Sequence, residues 1–220
     1  MERSLLQAEG RKKHDKRNTM KLLITGFQPF GGENMNPAYE AVKRLPDRIG
    51  SVELVKKEIP VVFGEAARQV IDCMEELQPD VVICVGPAGD RPGITPEKVA
   101  INLQTTRMPD NAGNSPVDLP ICPEGPDAYF SLLPVRRMEE TMTAAGLPAY
   151  LSYTAGTYVC NDVMYRLLHH ITTRRPGVIG GFIHVPFCKE QVEGKPEIPA
   201  MELEDIVKGL ILCVETLEVL

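Results

Sequence analysis

VVICVG, at residues 81–86, is an unbroken apolar run rich in β-branched side chains. A run this short and this apolar reads as a strand covered on both faces, and a doubly covered strand calls for a parallel sheet with helices on either side. Upstream of it, residues 63–77 space their apolar side chains as an amphipathic helix ended by Pro79, and residues 52–61 read as a strand. Further back, Asn36-Pro37 opens a helix running to about Leu45, with Asn36 as cap and Pro37 at the first helical position. KLLITGF, at 21–27, is another apolar strand. Strand, helix, strand, helix, strand is an α/β pattern with a mostly parallel sheet.

Downstream the pattern breaks. Residues 86–126 read as loops around one short strand candidate, VAINL at 99–103, and five prolines fall within 107–126. So long a loop region inside a compact domain points to a site or an interface. A helix is expected over 128–145, closed by Gly146, then an apolar strand at 149–155 leading into GTYVCND. A helix to about Thr173, a strand at 178–186 (VIGGFIHVP), a Pro- and Gly-punctuated loop and a helix over 202–218 complete the chain. Residues 20–220 are thus read as a single α/β domain, and residues 1–19 as a basic extension without fixed structure.

Charge supports that division. Residues 1–19 hold six of the 24 Lys and Arg but three of the 30 acids, so the remainder carries 18 basic against 27 acidic groups. An acidic body with no Trp and no basic stripe argues against nucleic acid as a partner. No apolar run approaches the roughly 18–20 residues of a membrane-spanning helix, and no apolar signal core follows the charged N-terminus. The expectation is a soluble cytoplasmic protein with no membrane partner. The six cysteines, at 73, 84, 122, 160, 188 and 213, form no CxxC pair and no Cys/His ligand cluster, so neither a metal nor a disulfide framework is expected.

Elimination narrows the chemistry. His14 lies in the extension, and His169 and His170 sit near a helix C-terminus, where solvation or the dipole accounts for them. His184 follows GGFI at the C-terminal end of a buried strand, where open α/β sheets place their ligands. Cys160, in GTYVCND, sits at a helix start, whose amides and dipole are expected to draw its pKa down toward a reactive thiolate. The other five cysteines read as structural, Cys188 least clearly because it lies four residues past His184. A Cys–His pair needs a third group to hold the imidazole, and Glu97, in ITPEKVAIN, is one of many candidate carboxylates. FQPFGG after the first strand has neither GxGxxG nor P-loop spacing, so Phe27 and Phe30 read as walls of a small apolar pocket or as core.

TGFQPFGG with the following NP, ITPEKVAIN leading to RMPDN, SYTAGTYVCN, and GFIHVP together resemble the pyroglutamyl peptidase I family, in the family's order, over about residues 20–215. The resemblance implies a three-layer α/β/α sandwich and an exopeptidase that removes N-terminal pyroglutamyl residues from peptides. It also implies a homotetramer and the use of no cofactor. By motif it makes Cys160 the nucleophile, His184 the base and acid, Glu97 the group orienting the histidine and Arg107 the oxyanion partner. Phe27, Phe30, Pro87, Tyr158 and Val159 become the substrate pocket. Pro87 and Asp90, in VGPAGDR, stand where the family commonly has Gln and Gly, and Pro87 lacks the N–H of a lactam-binding position. A second reading is therefore a weakened or non-catalytic pyroglutamyl-binding homologue.

Overall fold

The computed structural model describes residues 19–219, so the basic extension, apart from Thr19, lies outside the described residues. In chain order the strands are β1 (Met20–Phe27), β2 (Arg48–Ile49), β3 (Val52–Ile59), β4 (Val81–Pro87), β5 (Thr95–Pro96), β6 (Val99–Ile101), β7 (Ala128–Phe130), β8 (Ile179–Val185), β9 (Phe187–Cys188) and β10 (Ala200–Met201). The helices are α1 (Pro37–Arg44), α2 (Glu65–Leu77), α3 (Val135–Ala144), α4 (Val159–Arg174) and α5 (Leu203–Glu215).

The main sheet runs β2-β3-β1-β4-β8-β5, with β3, β1, β4 and β8 mutually parallel and the short β2 and β5 antiparallel at its edges. Alternation along each central strand splits the core in two. Leu22, Ile24, Val81, Ile83, Val85, Ile183 and Val185 pack with α1, α3 and α5, whereas Leu23, Phe27, Val82, Cys84 and Phe182 pack with α2 and α4. The result is the expected α/β/α sandwich. Asn36 caps α1 through its side chain on the Ala38 amide, with Pro37 in the first turn. Gly26 lets α1 lie on β1: a Cβ there would stand 2.6 Å from the Tyr39 Cα.

Two elements differ from expectation. The helix expected over 128–145 begins only at Val135, because Pro134 disfavours helix before it, and 128–130 instead pair as β7 with β6. The strand expected at 149–155 is absent. Its backbone meets the chain only at bridges Ile94↔Ala149 and Glu97↔Ser152, since the intervening Pro96 has no N–H to continue a ladder. Ala149 and Leu151 still pack on the core, which accounts for the apolar pattern.

Candidate active site

Parity brings the site together. Phe182 and His184 of β8 point to the α4 side, and Gly86 of β4 pairs in register with His184. A Cβ on Gly86 would stand 2.7 Å from Phe182 Cζ and 3.0 Å from Cys160 Sγ, so the sulfur occupies the space that glycine leaves. With neighbouring strands about 4.8 Å apart, thiol and imidazole converge over the same sheet edge.

Cys160 is the second residue of α4, and the two residues after it lock that turn in place. Asn161, fully buried, accepts from the Ile101 amide (2.9 Å) and donates to the Ile101 and Leu103 carbonyls (2.9 Å each). Asp162, also buried, accepts from the Gly64 amide at 2.8 Å and from Arg166 Nε at 2.8 Å. The Cys-Asn-Asp run therefore ties the Cys160 thiol, the 101–103 segment and the start of α2 into one rigid unit.

His184 Nδ1 lies 2.7 Å from Glu97 Oε1, and the carboxylate assigns the proton to Nδ1, leaving Nε2 as the acceptor. Glu97 is wholly buried, and the same Oε1 also takes Arg91 Nη1. Arg91 is held in turn by the Thr95 hydroxyl (2.6 Å) and the Thr154 carbonyl (2.8 Å). Burial pushes the Glu97 carboxyl up, but the hydrogen bond and charge of His184, with Ser152 and Arg91, outweigh it and leave its pKa lowered. Burial lowers the His184 pKa, opposed by Glu97.

The thiol departs from expectation. Cys160 keeps part of its surface open, yet burial and the nearby Glu97 charge push its pKa up to about 12 against the pull of Arg91. Desolvation beats the helix dipole here. At neutral pH the cluster is thus a neutral thiol, a neutral imidazole and a charged carboxylate, which suits deprotonation at the moment of attack rather than a stored thiolate.

Phe27, Phe30, Val61, Pro87, Tyr158 and Val159 line an apolar cavity of about 40 Å³ that opens on Cys160. Larger depressions lie elsewhere, but this one touches Cys160. By the measure of ~10–15 Å³ per water it holds roughly three waters, comparable to one small ring. The structure brings all five sequence-derived pocket residues together here. Phe27 is 1% exposed and serves as both wall and core, and Tyr158 stacks edge-on against Phe63 at 5.3 Å. Pro87 leaves no gap in the sheet, because the next amide, Ala88, reaches the Val185 carbonyl at 2.8 Å. Asp90 is exposed and is not among the positive-φ residues.

Arg107 stands apart. It is exposed, lines a neighbouring depression with Thr157 and Tyr158, and makes no hydrogen bond or ion pair among the described residues. Arg91 is the residue that sequence reasoning missed. Its signal was its place in VGPAGDR, at the end of the buried strand and six residues before Glu97.

Gly86→Ala is expected to lower kcat/KM by roughly 10²-fold, because moving a reacting atom by about 1 Å costs that much. Steady-state kinetics with the melting temperature as control checks this; a fully active variant would show that the sulfur does not need the vacated space.

A model of the pyroglutamyl peptidase family matches residues 20–219. A pyrrolidone-carboxylate peptidase of Enterococcus faecalis is 53% identical over 196 residues, 89% of this chain and 92% of that protein. One from Levilactobacillus brevis is 52% identical over 198 residues, 90% of this chain and 97% of that protein. Among solved structures, pyroglutamyl peptidase I from Bacillus amyloliquefaciens superposes with a TM-score of 0.87 at 44% identity, covering 90% of this chain and 94% of that one. A variant pyrrolidone carboxyl peptidase from Pyrococcus furiosus gives 0.86 at 40% identity, covering 91% of this chain and all of that one.

Proposed function

The chain belongs to the pyroglutamyl peptidase family, and on that premise we propose that Cys160, His184 and Glu97 carry the reaction and that the cavity beside Cys160 receives the pyroglutamyl ring. The enzyme is a cysteine-type omega peptidase that removes N-terminal pyroglutamyl residues from peptides. The observation that carries the site assignment is the His184–Glu97 bond lying beside the glycine gap that Cys160 fills.

His184 Nε2 takes the Cys160 proton as the sulfur attacks the pyroglutamyl carbonyl, and Glu97 stabilises the imidazolium that forms. His184 then protonates the departing amine, and a water activated by the same nitrogen hydrolyses the thioester. Free amides in the first turn of α4 are suited to the developing oxyanion. Arg107 is the proposed second donor, supported by its guanidinium beside Tyr158, which makes no hydrogen bond or ion pair among the described residues. Pyroglutamate has no free α-amine, whereas an ordinary N-terminus would bring an unpaired ammonium into the apolar pocket at a cost on the order of several kcal/mol. The weakened-homologue reading is not favoured, since Pro87 and Asp90 leave the Cys–His–Glu cluster intact.

Residues 20–220 form the peptidase domain in this proposal, with residues 1–19 outside it, and the family model's start at residue 20 supports the division. A cytoplasmic setting is part of the same reading: among the described residues no helix is long and apolar enough to cross a membrane, and the thiols are free. The homotetramer belongs to the same reading, with exposed Phe130 and Tyr153 as apolar surface open to a subunit contact.

The test is release of a fluorophore from a pyroglutamyl amide, beside the same amides of proline and of glutamine. Turnover of the pyroglutamyl amide alone, abolished by iodoacetamide, is expected. No turnover by the reduced protein, or equal turnover of the prolyl amide, would overturn the assignment.

A further inference from the structure

A second thiol sits on an imidazole away from the peptidase site. Cys122 Sγ lies 3.9 Å from His169 Nε2, and His169 Nδ1 lies 2.8 Å from the Tyr129 hydroxyl. The imidazole is gripped on its other sides as well. Tyr165 stacks on it nearly parallel, at 9° and 6.3 Å between centroids, and Tyr129 meets it at 67°. The loop holds the sulfur equally firmly: Asn102 accepts from the Cys122 amide (2.8 Å) and donates to its carbonyl (2.7 Å). His169 lies nine residues beyond Cys160 on α4, about 13 Å along the helix at 1.5 Å per residue. The two thiols are therefore separate, each with its own histidine.

A nucleophile facing a base that a third group orients is the arrangement of an activated nucleophile. The Tyr129 hydroxyl can accept as well as donate, and in the tautomer whose Nδ1–H donates to it, Nε2 is free to accept the thiol proton. Beside the pair opens a cavity of about 480 Å³, large enough for a small organic molecule. Ile71, Ile121 and Tyr165 give it apolar walls and Arg166 a cationic group, whereas the Arg68 guanidinium at its rim is already held by Glu65 and Asp72. Arg166 spends only Nε on Asp162 among the described residues.

We propose that Cys122 is a second reactive thiol, activated by His169 and Tyr129, and that this cavity admits low-molecular-weight disulfides bearing carboxylates. The Cys122 proton passes to His169 Nε2, and the thiolate attacks one sulfur of the bound disulfide. The S–S bond breaks as the Cys122 mixed disulfide forms, and the leaving thiolate takes the proton from the imidazolium. The disulfide is the only oxidant required, and the uncommitted Nη groups of Arg166 favour an anionic leaving group.

The probe is oxidised glutathione, with cystamine as its cationic counterpart, applied to Cys160→Ser protein so that the peptidase thiol does not compete. Adducts are followed by peptide mapping. Cys73 of α2 is the internal control: it is equally half-buried, its pKa is raised by burial, and no imidazole faces it among the described residues. Cys122 is expected to react at least ~10-fold faster than Cys73 and faster with glutathione disulfide than with cystamine, and His169→Gln should slow it by at least about tenfold with the melting temperature kept. Equal rates at Cys73 and Cys122, faster reaction with cystamine, or an unchanged rate in His169→Gln would overturn the proposal. The comparison with Cys73 decides in protein that retains His169, so it stands even if the histidine variant folds poorly.

Discussion

Cys160→Ser is expected to reduce turnover of a pyroglutamyl amide by at least roughly 10³-fold, because a serine hydroxyl is far less acidic than a thiol and the base here is weak. Burial lowers the His184 pKa, so the imidazole that suffices for a thiol in the transition state is poorly matched to an alcohol. The substitution removes little bulk, and Asn161 and Asp162 hold the helix start regardless of what stands at 160. Pyroglutamate should therefore bind Cys160→Ser with an unchanged Kd by calorimetry, and the melting temperature should stay within about 2 °C. Retained turnover would move the nucleophile elsewhere, while lost binding would mean that the sulfur shapes the pocket as well as attacking.

The parts of this fold legible in the sequence are those where one physical requirement acts alone. VVICVG and KLLITGF are apolar because β4 and β1 are covered on both faces, and no other short element needs that pattern. Asn36-Pro37 marks α1 because capping and a missing N–H are local effects. The segment 149–155 failed because burial and strand pairing come apart there: Leu151 packs on the core while Pro96 denies the ladder its donor. Neither fact is visible from 149–155 itself.

The site divides in the same way. His184 and Cys160 are legible as a strand-end and a helix-start residue and Phe27 and Phe30 as an aromatic pair at the end of a strand and in its loop, and the structure places them so. Arg91 escaped because its role arises only when the loop after β4 folds back onto Glu97. Cys122 and His169, 47 residues apart, meet only through the packing of α4 on the 121–126 loop. The thiol's protonation was misjudged for a related reason. A helix start is visible in sequence, whereas the burial and the Glu97 charge that raise the Cys160 pKa are properties of the assembled core.

Glu97→Gln separates orientation from charge. The amide oxygen can replace Oε1 and accept from both His184 Nδ1 and Arg91, so the tautomer and ring position survive. The nitrogen then takes the Oε2 position, a buried atom with no hydrogen-bond partner among the described residues. What is lost is the negative charge that stabilises the imidazolium, and kcat is expected to fall roughly 10²- to 10⁴-fold. The sign of the pH effect follows from the same charge. With His184 as the proposed base, peptidase activity needs it neutral and is expected to disappear as pH falls through its pKa. Glu97 raises that pKa against burial, so removing the carboxylate drops it further and moves the acid limb of kcat/KM to lower pH. The thiol should respond in the opposite sense to turnover. Glu97 pushes the Cys160 pKa up and Arg91 pulls it down, so the variant's thiol ionises at lower pH and is alkylated faster by iodoacetamide on the alkaline side. A variant that is slower in catalysis yet quicker in alkylation distinguishes an electrostatic partner from a structural one, since a merely loosened site would slow catalysis without making the thiol more acidic. An acid limb that stays in place would remove Glu97 from the relay and leave it as a buried tether for Arg91.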